Sequence, residues 1–128
     1  MVLAGVVVAE NRRPIASASM DRDAVRTAIL ALPEVEEYEH GELPAFRVRG
    51  KRFATMLDDE GVNLMPGEPA ILALCEQHGE WCAERWWGRR LAAVRVSFGT
   101  IPPELLEELV LEAWSSKAPA SVLRAHGL

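Results

Sequence analysis

Apolar residues recur every three to four positions in three long segments of the chain, which predicts three helices. The first covers residues 21–32, where Asp21 can accept hydrogen bonds from the free amides of the first turn. The second covers residues 67–78, and the third runs from residue 102 to about residue 114, with leucines on one side and glutamates on the other. A short fourth helix is predicted after Pro119.

The segments between these helices are short runs with a strand-like pattern, separated by glycine, proline or aspartate. Short turns of this kind favour antiparallel pairing. The predicted strands cover residues 35–40, 45–49, 52–57, 62–65, 80–86 and 89–98. This order of elements predicts an α+β two-layer sandwich, in which an antiparallel sheet carries helices on one face.

The first hairpin is expected to turn at Gly50-Lys51 and to carry a basic tip. In that register Arg49 faces Arg52. Val48 then faces Phe53 on the apolar side of the hairpin. Because like charges that face each other weaken a hairpin, this arrangement calls for a functional reason.

The length of 128 residues and the hydrophobic content of 49% are sufficient for one core but not for two. We therefore expect a single domain over residues 21–128, preceded by an N-terminal extension of residues 1–20. The apolar run at residues 2–9 is too short to span a bilayer and has no basic segment before it, so we expect neither a membrane anchor nor a signal peptide. The extension is either a short added strand or the product of a mis-assigned start, with Met20 as the natural one.

Positive charge is concentrated in the two hairpins, although the net charge is −5 and the pI is about 5.2. Residues 45–57 and 85–101 contain eight of the fourteen Lys and Arg residues and no acidic residue. Two basic tips can straddle a phosphate backbone, since Lys and Arg contacts to phosphates supply most non-specific affinity. The candidate nucleic-acid-binding residues are Arg47, Arg49, Lys51, Arg52, Arg85, Arg89 and Arg90. Alternatively, these cations form a solvated sheet face and pair with nearby glutamates. The acidic balance favours this second interpretation.

Cys75, His78 and Cys82 lie close enough in sequence to be considered as zinc ligands, with His40 as a fourth. The paired Cys-x-x-Cys spacing is missing, and a cysteine in an apolar helix is more often a small buried hydrophobe. We therefore expect no metal and no other cofactor. Two cysteines are also too few for a disulfide scaffold and suit a reducing, cytoplasmic setting.

The glutamates around Tyr38 and His40 could supply acid–base chemistry, since histidine titrates near neutral pH. In the sequence they are not accompanied by a nucleophile elbow, a phosphate-cradling glycine loop or a metal-ligand pair. We therefore expect that the protein is not an enzyme. Gly41 and Pro44 are better explained as the turn that opens the first hairpin.

Two tryptophans lie near the tip of the second hairpin, which is expected to turn at Trp87-Gly88. Because side chains alternate along a strand, one of Trp86 and Trp87 is expected to enter the core while the other lies beside the arginines. An exposed Trp87 can bind a protein partner or stack on a nucleic-acid base. Alternatively, the neighbouring arginines simply stack over its ring.

Four short strings of residues extend over nearly the whole predicted domain. They are Leu32-Pro-Glu-Val-Glu36, His40-Gly-x-x-Pro44-x-Phe-Arg-Val-x-Gly50-Lys-x-Phe-Ala-Thr55, Trp87-Gly88, and Ala113-Trp114 followed by Lys117-Ala-Pro119. Together they resemble the MmcQ/YjbR family, most specifically in the second string. The resemblance implies an α+β fold of the secretion-chaperone-like type and DNA binding through a double-wing motif. It implies no catalytic residues, so Arg47, Arg49, Lys51 and Arg52 enter only as one wing.

Overall fold

The computed structural model of the protein describes residues 20–127. Within these residues the helices are α1 (Arg22–Leu30), α2 (Glu68–Gln77), α3 (Pro103–Lys117) and α4 (Ala120–Ala125). The strands are β1 (Val35–His40), β2 (Leu43–Val48), β3 (Lys51–Met56), β4 (Gly61–Leu64), β5 (Cys82–Trp87) and β6 (Arg90–Ser97). The predicted elements are thus confirmed. The N-terminal extension predicted for residues 1–20 lies outside the described residues, except for Met20.

The strands form one sheet in the order β1-β2-β3-β4-β6-β5, and every neighbouring pair is antiparallel. The chain leaves β4 through α2, forms β5 at one edge of the sheet and returns as β6 beside β4. This arrangement confirms the α+β two-layer sandwich. None of the helices formed by residues 20–127 has the length and apolar character that a membrane crossing requires.

The core lies between the sheet and the helices, where α1 and α3 bury the apolar faces predicted from their spacing. Asp21 caps α1 as predicted, because its Oδ1 accepts a 2.8 Å hydrogen bond from the Ala24 amide. The apolar face of α3 packs on the strands and contributes the buried residues Leu106, Leu109, Val110, Ala113 and Trp114. The indole Nε1 of Trp114 donates a 3.0 Å hydrogen bond to the carbonyl of Pro33, which ties α3 to the loop before β1.

The turn of the first hairpin was predicted one residue too far along the chain. The loop is Arg49-Gly50, so Val48 pairs with Lys51 and Arg47 pairs with Arg52. Both loop residues have positive φ, 50° and 82°, which a type I′ turn requires and which places glycine second. The predicted facing of Arg49 with Arg52 is therefore wrong, as is that of Val48 with Phe53. The strand register of this hairpin changes between Phe46 and Arg47, where the structure has a β-bulge.

The turn of the second hairpin was predicted one residue too early. The loop is Gly88-Arg89, and Trp87 pairs with Arg90. Gly88 has a φ of 64°, so here glycine occupies the first loop position, as in a type II′ turn. The strands of this hairpin also contain a register shift, between Arg85 and Trp86.

Neither Trp86 nor Trp87 enters the core, which corrects the prediction that one of them would. Their side chains are 51% and 44% exposed. They are the last two residues of β5, an edge strand of the sheet, and the register shift before Trp86 changes the local alternation of side chains. The tryptophan of the core is Trp114, which is fully buried.

Candidate nucleic-acid interface

The loops of the two hairpins project from the same end of the sheet. Ala54 of β3 pairs with Leu64 of β4, and Leu64 pairs in turn with Val94 of β6. Since β4 is antiparallel to both neighbours, β3 and β6 run in the same direction, and both begin at the loop end. One strand separates them, so the starts of β3 and β6 lie about 10 Å apart.

A pocket of about 310 Å³ opens between the two hairpins at this end. It forms where β4 stops at Leu64 while the strands on either side continue toward their loops. Three strands and two helices contribute to it. Its lining residues are Arg52, Met65, Gly67, Glu68, Ile71, Trp87, Arg90, Leu91, Ala92 and Lys117.

The charged side chains around this pocket are mostly cations. Burial lowers the pKa of Lys117, and the positive charges of Arg90 and Lys51 lower it further. Glu68 is the one carboxylate among the described residues that line the pocket. The loop end of the sheet therefore has an excess of positive charge.

Arg52 is held beside the indole of Trp87, with its Cζ 5.9 Å from the ring centroid. This is the outer limit of a cation–π contact. Arg52 was not among the arginines predicted beside the exposed tryptophan, whereas Arg90, which was, pairs with Trp87 across the hairpin. The Nε of Arg52 is buried and finds no hydrogen-bond acceptor in the part of the chain that the structure describes.

Two of the predicted nucleic-acid-binding residues are bound by carboxylates from the neighbouring strand or the loop before it. Arg47 Nε lies 2.7 Å from Glu36 Oε1, and Arg49 Nε lies 2.6 Å from Glu34 Oε1. These hydrogen bonds lower the pKa of both glutamates. Arg47 also lies over the Tyr38 ring, 4.3 Å from its centroid. For these two arginines the structure matches the alternative of a paired, solvated sheet face.

The remaining candidates differ from that pair. Arg95, the eighth cation of the two hairpin segments, donates to Ser97 Oγ at 2.8 Å and to Asp58 Oδ2 at 3.4 Å. No carboxylate of residues 20–127 comes within ion-pair distance of five candidates, which are Lys51, Arg52, Arg85, Arg89 and Arg90. The structure thus distinguishes candidate cations that pair with a carboxylate from candidates that have no such partner among the described residues.

Lys117 belongs to the site but was not among the sequence candidates. It is the last residue of α3, at the end of a helix whose other charged residues are glutamates. Its position in the string Lys117-Ala-Pro119 was visible in the sequence, but its approach to Arg90 and Lys51 depends on how α3 crosses the sheet. Gly67, at the start of α2, also lines the pocket, and its position there depends on how α2 packs against the second hairpin.

The candidate zinc ligands from the sequence are Cys75, His78, Cys82 and His40. Within residues 20–127 no group of three or more His, Cys, Asp or Glu side chains is placed to hold a metal ion. Cys75 and Cys82 are free thiols. Burial raises the pKa of Cys82 to about 11, with a smaller contribution from Cys75. Cys82 belongs to the hydrophobic core and Cys75 packs against it, so both thiols act as small packing groups.

A family model and a solved structure match the chain. The YjbR family model matches residues 30–116, which includes both hairpins and most of α3. The crystal structure of Deinococcus radiodurans protein DR2400, described with the family-model domain DUF419, aligns with a TM-score of 0.65 and 21% identity, over 88% of this chain and 91% of that chain. At this identity the alignment supports the fold alone. No curated protein matches the chain. Because the family model covers more than half of its length, the chain belongs to the YjbR family.

Proposed function

We propose that the loop end of the sheet binds nucleic acid through its phosphates, weakly and without base readout. The observation that carries this proposal is that two hairpin loops leave the sheet at the same end, with cations that no described carboxylate neutralises. These cations are Lys51, Arg52, Arg89 and Arg90 of the hairpins, and Lys117 at the end of α3 joins them. We call them the free cations below. Arg85 lies on the same hairpin but farther from the loop.

The segregation of charge explains how a protein with a net charge of −5 can bind a polyanion. The carboxylates of α3 lie along a helix whose C-terminal end alone reaches the pocket. At moderate salt the Debye length is about 10 Å, so charges farther along the helix are largely screened from the site. The overall negative charge still opposes long-range attraction, which is why the proposed binding is weak.

The proposal describes a binding role rather than catalysis, and it assumes a cytoplasmic setting. The protonated thiols of Cys75 and Cys82 are poor nucleophiles, and both cysteines are free, as is usual in a reducing compartment. Apart from Glu68, the charged groups that line the pocket at the loop end are cations of the kind that bind phosphate.

Fluorescence anisotropy with a labelled 20-base-pair duplex at 50 mM salt tests this role. The double variant Lys51→Ser/Arg89→Ser is expected to lose most of the binding. A matched control, Arg22→Ser/Arg124→Ser, removes the same charge from α1 and α4 and is expected to bind within about threefold of the wild type. Absence of binding by the wild type, or equal losses in both double variants, would reject the proposal.

A second candidate function is a protein-interaction module, as the secretion-chaperone-like fold suggests. The observation in its favour is that the adjacent Trp86 and Trp87 are both about half exposed at a sheet edge. Large aromatic residues of this kind anchor many protein interfaces. A partner that co-purifies at 0.5 M salt and is lost on Trp86→Ser would support this role. A partner that salt alone removes would favour the electrostatic role.

A further inference from the structure

The charge balance of the pocket between the hairpins suits one small dianion. Three cations line it, Arg52, Arg90 and Lys117, and one carboxylate, Glu68, so the lining side chains sum to +2. Lys51 lies near enough to influence the charge of Lys117 and adds to the positive field. A phosphate monoester carries a charge of about −1.5 to −2 at neutral pH, which matches this balance, whereas a phosphodiester carries only about −1.

Backbone donors add to the side-chain cations on one side of the pocket. α2 begins at Glu68 after Gly67; Pro69 has no amide hydrogen, and no side chain caps the other free amides of the first turn. The amide ends of a helix favour a negative group, both through hydrogen bonds and through the helix dipole. Gly67 and Glu68 line the pocket, so this helix start faces the same space as the three cations.

Apolar residues and an aromatic ring also line the pocket, beside the cations. Met65, Ile71 and Leu91 are buried residues of the lining, and the half-exposed indole of Trp87 is also part of it. A flat indole surface beside an arginine is a surface on which planar heteroaromatic rings stack. At about 310 Å³ the pocket lies at the lower end of the range for small-molecule sites. It therefore has room for a phosphate and only part of a ring.

We propose that this pocket binds a phosphate monoester attached to a nucleoside, with the phosphate among Arg52, Arg90 and Lys117 and the base against Trp87. This inference goes beyond the proposed function. A duplex backbone offers only diesters to the loop end, whereas the pocket would hold a single terminal monoester among three of the same cations. The same chemistry occurs in a free mononucleotide and at the 5′-phosphorylated end of a single strand.

Isothermal titration calorimetry with the full chain tests the inference, using adenosine 5′-monophosphate, adenosine and inorganic phosphate as probes. Adenosine 5′-monophosphate is expected to bind with a dissociation constant below about 1 mM, and both fragments are expected to bind at least about tenfold more weakly. No detectable binding of adenosine 5′-monophosphate, or equal binding of inorganic phosphate, would overturn the inference.

Substitutions of lining residues test whether adenosine 5′-monophosphate binds in this pocket. Arg90→Ala and Lys117→Met are each expected to weaken adenosine 5′-monophosphate binding about tenfold or more, because each removes a charged hydrogen-bond donor. Trp87→Ala is expected to weaken nucleotide binding while leaving phosphate binding unchanged. Arg124→Gln, a charge-matched control on α4, is expected to stay within about twofold. Circular dichroism establishes that each variant is folded. Unchanged binding in folded Arg90→Ala and Lys117→Met would overturn the inference.

Trinucleotides with a 5′-phosphate or a 5′-hydroxyl distinguish the two sources. Tighter binding of the phosphorylated trinucleotide than of adenosine 5′-monophosphate would identify a strand end, and equal or weaker binding would identify the free nucleotide. Equal binding of the two trinucleotides would overturn the requirement for a terminal phosphate. Arg89 is in a hairpin loop and does not line the pocket. Arg89→Ser is therefore expected to weaken duplex binding and to leave nucleotide binding unchanged, so the proposal for the pocket and the proposal for duplex binding can be rejected independently.

Discussion

Release of a paired arginine at the loop end should strengthen nucleic-acid binding. In the wild type, Arg49 is at the tip of the first hairpin but hydrogen-bonds Glu34 at 2.6 Å. Glu34→Gln removes the negative charge and leaves Arg49 available for one additional phosphate. The pair is solvent-exposed, so its loss is expected to cost the fold only about 0.2–1 kcal/mol.

The size of the gain follows from counterion release. One additional phosphate contact releases about 0.9 counterions, which at 0.1 M salt corresponds to about 1.2 kcal/mol, or about an eightfold increase in affinity. Anisotropy of a labelled duplex measures this change. Glu104→Gln is the matched control, since it removes the same charge from the first turn of α3, about 20 Å along the helix from Lys117.

Glu104→Gln is expected to stay within about twofold of the wild type. The double variant Glu34→Gln/Arg49→Gln should lose the gain, because the released cation is then absent. Equal gains in Glu34→Gln and Glu104→Gln would show that net charge, rather than the loop end, governs binding. No gain in Glu34→Gln would refute the reasoning that pairing keeps Arg49 from the phosphates.

Three further predictions concern the fold that presents the site. Trp114→Phe should lower the free energy of unfolding by about 2–4 kcal/mol, measured by urea denaturation, because it opens a cavity and leaves the Pro33 carbonyl without its buried donor; a loss below about 0.5 kcal/mol would contradict this. Hydrogen bonds from the amides of Glu60 and Gly61 lower the pKa of Asp58, so its contribution to stability is present above its ordinary pKa near 3.8 and is lost as pH falls through the lowered value. Urea titrations between pH 2 and 6 should therefore show a shallower acid loss in Asp58→Asn than in the wild type, and identical profiles would contradict the assignment. With a pKa of about 11, Cys82 should react with a thiol reagent at pH 8 far more slowly in the folded protein than in urea, and equal rates would contradict its burial.

The sequence was sufficient to predict the helices and strands because local signals, such as capping residues, turn residues and apolar periodicity, mark them. Asp21 marks the start of α1, and the apolar stripe of α3 runs over the residues that the structure buries. Each hairpin loop was predicted one residue away from its observed position, because glycine suits either loop position, depending on the turn type. Only the pairing of whole strands, including the bulge between Phe46 and Arg47, determines which turn forms.

The candidate site was predictable in outline but not in its charge state. The concentration of cations in two hairpins was visible along the chain, and the structure brings both loops to one end of the sheet. The pairing of Arg49 with Glu34 joins residues 15 positions apart across β1 and β2, so it depends on tertiary structure. Lys117 reaches the site only because α3 ends over the start of β3 and β6.

The salt dependence of duplex binding tests the central claim most directly. If the five free cations each neutralise one phosphate, the logarithm of the association constant should fall with the logarithm of salt concentration with a slope of about −4.5. Lys51→Ser/Arg89→Ser should reduce this to about −2.7, while Arg22→Ser/Arg124→Ser should leave it unchanged. A slope near zero, or one that both double variants alter equally, would contradict the assignment of phosphate binding to the loop end of the sheet.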